Sequence, residues 1–310
     1  MPLSALALAA ALAAAGPSDH PAPVTAVRYH RVDVDGVGVF YREAGNPAAP
    51  AVVLLHGYPS SSRMWGPLLP LLARKYHVIA PDYPGFGHSD APPPGAYIYT
   101  FDRLAETINR LLARLAISRY VLVMQDYGGP VGFRLAIAHP SAVRAIIVQN
   151  ANAYREGLGP KWAGIAGYWS DPTKHQDQVD AFVSLAGAKQ RHLGLSPHID
   201  RYDPDSWTDE FAFLSRPGER AIQAALLRDY RHNVASYPKW QDWMRRYRPP
   251  ALILWGKYDP SFIVPGAHAY LRDLPEAELH ILDAGHFALD EQKDEVARLM
   301  LDFLGRLPLD

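Results

Sequence analysis

The 310-residue sequence contains no cysteine, and its charges of the two signs almost cancel. The absence of cysteine excludes disulfide bonds, zinc sites of the cysteine type and a cysteine nucleophile. The formal net charge is −1, from 31 basic and 32 acidic residues. A balance this even lacks the electrostatic signature of a protein that binds nucleic acid or an anionic membrane, so we expect neither partner.

Long apolar runs are scarce, and the one at the N-terminus is too short to span a membrane. Leu3 to Ala15 has the length of the apolar segment of an export signal, but no Lys or Arg precedes Arg28. We therefore interpret residues 1–24 as a leader or a possible signal segment. A cytoplasmic location is favoured over export, and no transmembrane helix is expected.

Short apolar runs recur along the rest of the chain. The six runs are Ala51–Leu55, Val78–Ala80, Tyr120–Met124, Ala145–Val148, Ala251–Trp255 and Leu279–Leu282. Because polar and apolar residues do not alternate in them, they are typical of strands buried on both faces of a parallel sheet. Two further strands, Arg28–Val34 and Val37–Arg42, are joined by Asp35-Gly36, which is a hairpin signal.

Helical patterns separate these runs. They cover Phe101–Leu115, Pro130–Ala138 and Glu291–Leu304. The alternation of strands and helices predicts an α/β fold with a mostly parallel, eight-stranded sheet. Right-handed crossovers would place the carboxyl ends of the parallel strands, and the polar residues that follow them, along one edge.

The alternation is interrupted between residues 151 and 246. This segment has helical stretches such as Asp177–Leu193 and Glu219–Tyr230, but no buried-strand runs. We expect it to form a helical cap, or lid, over the strand edge of a core that comprises residues 25–150 and 247–310. The alternative is a set of extra helices in the same layer as the others.

A strand-to-helix turn at Asp126 is the strongest local signal of chemistry. The sequence from Val123 to Gly129 follows a predicted strand and precedes a helical pattern. This is the arrangement of a nucleophile elbow, in which glycines let the helix approach the strand while the central residue is strained. A carboxylate at this place can attack an electrophilic carbon and form an ester. The alternative is an aspartate that merely caps the helix.

Asp259 and His286 follow Asp126 in the order expected of a catalytic triad. Each comes just after a predicted strand, so the sheet would bring both side chains to the edge where Asp126 lies. Taken singly, Asp259 could be a turn residue and His286 a residue of a surface loop. The order and placement of all three residues favour a triad.

Four motifs extend this interpretation: His56-Gly57-Tyr58-Pro59, Gly85–Asp90, Gln125–Gly129 and Asp283–Phe287. With them the chain, from about Arg28 to its end, resembles the α/β-hydrolase superfamily, and specifically its epoxide hydrolase and haloalkane dehalogenase branch. The resemblance implies an α/β-hydrolase fold and an aspartate nucleophile. The nucleophile would attack a carbon, and the histidine, oriented by the acid, would activate the water that hydrolyses the ester.

The same resemblance implies further parts of the site. The backbone N–H groups of Tyr58 and Tyr127 would form the oxyanion hole. Some relatives carry the acid after the strand that precedes the cap, but here that place reads Gln149-Asn150, so Asp259 is the better candidate. No metal or organic cofactor is implied, and water is the second substrate.

The leaving group decides the activity. Opening an epoxide generates an alkoxide, which epoxide hydrolases protonate with tyrosine hydroxyls from the cap. Tyr230, within Leu227–Asn233, stands at the later donor position, and Tyr168, followed by Trp169, at the earlier one. Either tyrosine could instead only pack against the wall of the cleft. His56 and Trp169 are expected to contact a small apolar substrate.

Dehalogenases of this fold stabilise a halide with indole or amide N–H groups and usually carry Trp after the nucleophile, where this chain has Tyr127. Four tryptophans could still supply an N–H: Trp162, Trp169, Trp240 and Trp243. Haloacid dehalogenases hold a substrate carboxylate with an arginine beside the nucleophile. Arg134 is one helical turn too far along, so a carboxylate substrate is disfavoured.

We therefore predict hydrolysis of an epoxide to a vicinal diol. Haloalkane dehalogenation is the runner-up, and a non-catalytic binding protein of this fold is a third possibility. A serine esterase is disfavoured because no serine occupies the elbow. The oligomeric state is left open.

Overall fold

The computed structural model describes residues 25–309, in which eight strands form one sheet. The predicted leader, residues 1–24, lies outside the described residues. The strands are β1 Arg28–Val34, β2 Val37–Ala44, β3 Ala51–Leu55, β4 His77–Pro81, β5 Tyr120–Gln125, β6 Val143–Gln149, β7 Ala251–Gly256 and β8 Glu278–Leu282. Their spatial order is β1-β2-β4-β3-β5-β6-β7-β8. Only the pairs that β2 makes with β1 and β4 are antiparallel, which confirms the predicted, mostly parallel sheet.

The central strands are buried on both faces. Along β3, Val52 and Leu54 point into one hydrophobic core, whereas Val53 and Leu55 point into the other. Alternate side chains of a strand point to opposite faces, so a strand that is apolar throughout must lie between two covered layers. The sheet therefore separates two cores, and helices cover both.

The helices within residues 25–309 connect these strands and cover the sheet. They are α1 Leu69–Leu72, α2 Phe101–Arg114, α3 Gly128–Ala138, α4 Trp162–Ser170, α5 Gln176–Phe182, α6 Leu185–Leu193, α7 Asp205–Leu214, α8 Glu219–Tyr247, α9 Val264–Asp273, α10 Ala288–Glu291 and α11 Lys293–Gly305. Three short 3₁₀ helices cover Ser62–Trp65, Arg155–Gly157 and Ile199–Arg201. Of the helices described here, none combines the length and apolarity that a membrane crossing requires.

Five helices, α4 to α8, lie between β6 and β7, where the sequence lacks strand runs. The helical stretch expected over Asp177–Leu193 is divided into two helices. The division has a local cause, because the Ser184 hydroxyl accepts a hydrogen bond from the Gly187 N–H at 2.9 Å and so caps a new helix, α6. The stretch expected to end at Tyr230 continues to Tyr247 as α8.

α8 contacts both the other inserted helices and α3, a helix that covers the sheet. In its first half, Leu227 belongs to a small apolar cluster with Ile165 of α4 and Val179 of α5. In its second half, Trp240 stacks on Phe133 of α3, with ring centroids 5.0 Å apart. The expected boundary between cap and core at residue 246 thus falls at the end of one continuous helix, and the division into these two parts stays a prediction.

Candidate active site

Asp126 occupies the sharp turn between β5 and α3 in the conformation of a nucleophile elbow. Its φ angle is +46°, a left-handed conformation that costs a non-glycine residue on the order of 1–3 kcal/mol. A Cβ at Gly128 would collide with the carbonyl oxygen of Leu55, so only glycine lets α3 begin this close to the sheet. The turn therefore presents the Asp126 carboxylate at the carboxyl edge of the strands.

The two carboxylate oxygens of Asp126 have different surroundings. Oδ1 accepts a hydrogen bond from the backbone N–H of Tyr58 at 2.8 Å. Oδ2 lies 3.5 Å from Nε2 of His286. Asp126 is 8% exposed and His286 is 1% exposed, so the two groups face each other in a space that bulk water scarcely reaches.

Asp259 holds the other side of the imidazole. Its Oδ2 lies 2.7 Å from Nδ1 of His286 and also accepts a hydrogen bond from the side-chain amide of Asn150 at 2.8 Å. Its Oδ1 accepts one from the backbone N–H of Ser261 at 2.6 Å. Asn150, which follows β6 where some relatives carry the acid, thus helps to orient the Asp259 carboxylate. The structure brings Asp126, Asp259 and His286 together.

Charges in the site shift the pKa of both members of the His286–Asp259 pair. Burial alone would lower the pKa of His286, but the carboxylates of Asp259 and Asp126 outweigh it and raise the pKa to about 9. Burial would raise the pKa of Asp259, yet the neighbouring imidazolium, the hydrogen bond to it and the Lys161 ammonium hold it below its ordinary value. The two carboxylates therefore favour the protonated imidazole as long as Asp126 is free.

The two backbone amides expected to form an oxyanion hole flank Asp126. The Tyr58 amide already donates to Oδ1. Tyr127 directly precedes α3, where the first N–H groups have no acceptor within the helix. Both amides thus suit the expected role, which for Tyr127 rests on its position alone.

Tyr230, on α8, is brought close to the nucleophile turn. Its ring lies 5.8 Å from that of Tyr127 and 4.6 Å from that of Trp162, measured between centroids. The residue is 1% exposed, and its hydroxyl has no hydrogen-bond partner among the described residues. The Tyr237 hydroxyl is near enough to influence the pKa of Tyr230, but the pair does not reach hydrogen-bond geometry. A buried hydroxyl left without a partner is costly, so its presence calls for a functional reason.

Tyr168 and Trp169 are engaged elsewhere. The Tyr168 hydroxyl donates to the carbonyl oxygen of Ala224 at 3.2 Å, and the Trp169 indole N–H donates to that of Leu227 at 2.8 Å. Both carbonyls belong to α8, so these two polar groups serve packing between the inserted helices. Neither residue lines the cavity beside Asp126.

His56 is fully buried behind the turn that carries Tyr58. Its Nδ1 lies 2.9 Å from the carbonyl oxygen of Gly57, and its Nε2 accepts a hydrogen bond from the Tyr83 backbone N–H at 3.3 Å. The ring also stacks on Tyr83, with centroids 4.2 Å apart, and burial lowers the pKa of His56. Both ring nitrogens therefore support the loop, and His56 does not line the cavity.

The cavity beside Asp126 is narrow and includes two cationic side chains that the sequence did not single out. Its volume is about 20 Å³, which is room for a water molecule but not for an organic substrate, so substrate binding requires side chains of the wall to move. Lys161 and Arg191 line it together with Tyr58 and Trp162. Larger cavities lie near the starts of the strands and contain none of the predicted catalytic residues. Within residues 25–309, no group of three or more His, Asp or Glu side chains could hold a metal ion.

Comparisons with known proteins identify the family. A family model described as the alpha/beta hydrolase fold matches residues 50–293. An uncharacterized hydrolase of Saccharomyces cerevisiae is 42% identical over 270 residues, which cover 85% of this chain and 92% of that protein. A cis-3-alkyl-4-alkyloxetan-2-one decarboxylase of Xanthomonas campestris pv. campestris is 28% identical over 303 residues, with coverage of 90% and 96%. Epoxide hydrolase 3 of Xenopus tropicalis is 28% identical over 296 residues, with coverage of 89% and 77%.

Solved structures show the same fold at lower identity. The epoxide hydrolase CorEH aligns with a TM-score of 0.75 at 19% identity, over 90% of this chain and 99% of that chain. A loop variant of the haloalkane dehalogenase DbeA from Bradyrhizobium elkanii aligns with a TM-score of 0.69 at 22% identity, with coverage of 90% and 97%. The chain thus belongs to the alpha/beta hydrolase fold family, as its motifs predicted.

Proposed function

We propose that this hydrolase opens an epoxide to a vicinal diol through an ester formed on Asp126. One observation carries the proposal: buried Tyr230, whose hydroxyl has no hydrogen-bond partner among the described residues, packs against Tyr127, the neighbour of a carboxylate whose second oxygen faces His286. Such a site offers a nucleophile, a base and a separate proton donor. The Xenopus relative, which is named an epoxide hydrolase, supports the same activity.

In the first step, Oδ2 of Asp126 forms a bond to a ring carbon while the bond between that carbon and the ring oxygen breaks. The oxygen keeps the electron pair and becomes an alkoxide, which takes the proton of the Tyr230 hydroxyl. Burial raises the pKa of Tyr230 well above its ordinary value. The phenol therefore stays protonated until a base as strong as an alkoxide develops beside it.

In the second step, His286 takes a proton from water, and the oxygen of that water attacks the ester carbon. Ester formation has removed the negative charge of Asp126, one of the two carboxylates that raise the pKa of His286. The pKa consequently falls, and the imidazolium gives its proton to the phenolate that the first step left on Tyr230. His286 is then a neutral base when water attacks. Negative charge develops on Oδ1, to which the Tyr58 amide already donates. Collapse of this intermediate breaks the bond between the carboxyl carbon of Asp126 and Oδ2. The departing alkoxide takes the proton that remains on the attacking oxygen, so the diol leaves with the original Oδ2 atom and Asp126 is ionised again.

The halide alternative lacks a free indole N–H in the cavity. The Trp162 indole N–H donates to the carbonyl oxygen of Ser261 at 2.8 Å, and that of Trp169 is likewise engaged with the backbone. The Trp243 N–H has no partner among the described residues, but its ring packs against Phe133 of α3 and does not line the cavity. A halide held by the Trp162 or Trp169 indole would have to displace an existing hydrogen bond, whereas the Tyr230 hydroxyl is uncommitted within residues 25–309. Tyr230 does not line the narrow cavity either, so its hydroxyl meets an epoxide oxygen only after the wall has moved.

A single turnover in water labelled with ¹⁸O tests the mechanism. With enzyme in excess over styrene oxide, we expect the first diol to contain no label and the peptide that includes Asp126 to gain one ¹⁸O atom. The Asp126→Asn variant should form neither ester nor diol. The His286→Gln variant should accumulate the ester, visible as added mass on the intact protein. Label in the first diol would instead indicate direct attack by water, which contradicts the proposal.

A parallel assay with 1-bromobutane tests the choice of leaving group. We expect diol from styrene oxide and no bromide from the bromoalkane under the same conditions. Release of bromide without formation of diol would reverse the assignment in favour of a dehalogenase.

A further inference from the structure

We propose, on the basis of the epoxide chemistry above, that the substrate also carries a carboxylate, which Lys161 and Arg191 bind inside the cavity beside Asp126. Lys161 directly precedes α4, and Arg191 lies in α6. Both side chains line the cavity that contains the nucleophile. The expectation of an apolar substrate then describes only the part of the ligand that meets the aromatic wall. The sequence argument against a carboxylate considered only the residues beside the nucleophile, whereas these two cations come from the inserted segment.

Two aromatic rings hold the guanidinium of Arg191 in place. Its central carbon lies 4.5 Å from the ring centroid of Tyr58 and 4.3 Å from that of Phe182. Its Nε is buried and has no hydrogen-bond partner among the described residues. Stacking uses the face of a guanidinium and leaves the N–H groups along its edge available, which is the geometry that suits a carboxylate.

Lys161 directs its ammonium into the same cavity. The residue as a whole is exposed, but its Nζ turns inward and donates to the hydroxyl of Ser261. Burial of the ammonium and repulsion from Arg191 lower the pKa of Lys161 to about 8. The charge resides on Nζ, so the surroundings of Nζ, rather than the exposed remainder of the residue, decide how the group interacts with a ligand.

Neither cation has an ion-pair partner in the part of the chain that the structure describes. By contrast, Arg220 of α8 pairs with Asp180, and Arg216, just before α8, pairs with Glu219. Two cations that line one cavity without such a partner are costly unless a negative charge arrives to compensate them. A substrate carboxylate would supply this charge and would offset the repulsion between Lys161 and Arg191.

The competing explanation is that the two cations only stabilise the negative charge of the Asp126 carboxylate. They would then influence every epoxide to the same extent. A carboxylate site, by contrast, would influence only substrates that carry a carboxylate. A pair of epoxides that differ in this group alone therefore distinguishes the two roles.

The test compares 3-phenylglycidate with 3-phenylglycidamide, which differ by a carboxylate and a neutral amide. We expect the wild-type enzyme to prefer the carboxylate. The Lys161→Met and Arg191→Gln variants should each lose about 10- to 100-fold in kcat/KM for the carboxylate, as expected for a charge-assisted hydrogen bond. For the amide, kcat/KM of the two variants should stay within about threefold of the wild-type value, because no charge-assisted hydrogen bond is lost. The Arg191→Lys variant, which keeps the charge, should retain part of the preference.

Lys189→Met is the matched control, because Lys189 lies on α6, two residues before Arg191, and is exposed to solvent. This variant should keep the full preference for the carboxylate. Equal losses for both epoxides in the Lys161 and Arg191 variants, or no preference in the wild-type enzyme, would overturn the proposal.

A binding measurement separates this proposal from the proposed function. By calorimetry, 3-phenylpropanoate should bind the wild-type protein at least about 10-fold more tightly than 3-phenylpropanamide, and Lys161→Met should remove the difference. Neither compound can be turned over. If this preference holds but no epoxide is hydrolysed, the proposed function fails and the carboxylate site stands; equal affinities for the two compounds would disprove the site whatever the reaction.

Discussion

Two buried tyrosines of the inserted helices, Tyr168 and Tyr230, differ in what their hydroxyls bind. The Tyr168 hydroxyl donates to a carbonyl oxygen of α8, while that of Tyr230 has no hydrogen-bond partner among the described residues. At the scale of the residue, this distinction decides which hydroxyl can act on a substrate. A committed donor stabilises the fold, whereas an uncommitted one is free to donate to a reacting oxygen.

We expect Tyr230→Phe to reduce kcat/KM for styrene oxide by roughly 10²-fold or more, because general acid catalysis typically contributes 10²–10⁴. The matched variant Tyr168→Phe should leave the kinetics almost unchanged. It should instead lower the free energy of unfolding by about 1 kcal/mol, through loss of the bond to Ala224. Steady-state kinetics and urea unfolding measure the two effects. Similar kinetic losses in both variants would contradict the assignment of Tyr230.

At the scale of the element, His192 joins the inserted helix α6 to the catalytic edge of the sheet. Its Nε2 lies 2.8 Å from the Glu210 carboxylate of α7, and its Nδ1 lies 2.9 Å from the Asp290 carboxylate of α10. Its ring stacks on Phe287, the neighbour of His286, with centroids 4.1 Å apart. The helix that carries Arg191 is thus fastened to the loop that carries His286.

This contact should make stability depend on pH. Burial alone would lower the pKa of His192, but the carboxylates of Glu210 and Asp290 outweigh it and raise the pKa from 6.5 to about 9. A raised pKa means that the charged form favours the folded state. The stabilisation is therefore complete below pH 6.5 and is lost as the pH rises through 9.

We expect His192→Gln to lower the free energy of unfolding most at pH 6, with up to about 3 kcal/mol of the difference from wild type depending on pH. The difference between the two proteins should shrink steadily toward pH 10. Thermal unfolding of both proteins across this range provides the measurement. A difference that stays constant with pH would mean that His192 contributes through packing alone.

At the scale of the whole molecule, α8 joins the other inserted helices to α3, which covers the sheet. Its Trp240 is 1% exposed and stacks on Phe133 of α3, the helix that begins at the nucleophile turn. Trp207, on α7, is only half-buried and lies beneath the ammonium of Lys189. The two tryptophans therefore differ in how much apolar surface the fold removes from water.

We expect Trp240→Ala to lower the free energy of unfolding by about 3–5 kcal/mol, which is typical of removing a large aromatic side chain from a core. Trp207→Ala should cost much less, about 1 kcal/mol, as is usual for substitutions outside the core. Urea unfolding followed by circular dichroism compares the two. Comparable losses would show that Trp207 contributes as much to stability as Trp240 does, despite its greater exposure.

The sheet and the grouping of the three candidate catalytic residues were accessible from the sequence because both depend on local order along the chain. Apolar runs mark strands, and the residues that follow parallel strands meet at one edge whatever the details of packing. Asp126, Asp259 and His286 each follow such a run, and the structure brings them together. The division of the predicted helix at Ser184 could not be predicted, because the helical periodicity continues through this residue. A single hydroxyl that caps α6 causes the division.

By itself, then, the sequence determined the fold class, the family and the order of the three catalytic candidates. Only the tertiary structure decided that the Tyr168 hydroxyl and the Trp169 indole N–H bind backbone carbonyls and that both ring nitrogens of His56 support a loop. It also decided that Lys161 and Arg191 line one cavity with Asp126. The physical reason is that the direction of a side chain on an inserted helix depends on how that helix rotates against its neighbours. This rotation follows from packing between segments that are distant in the chain, which no local pattern records.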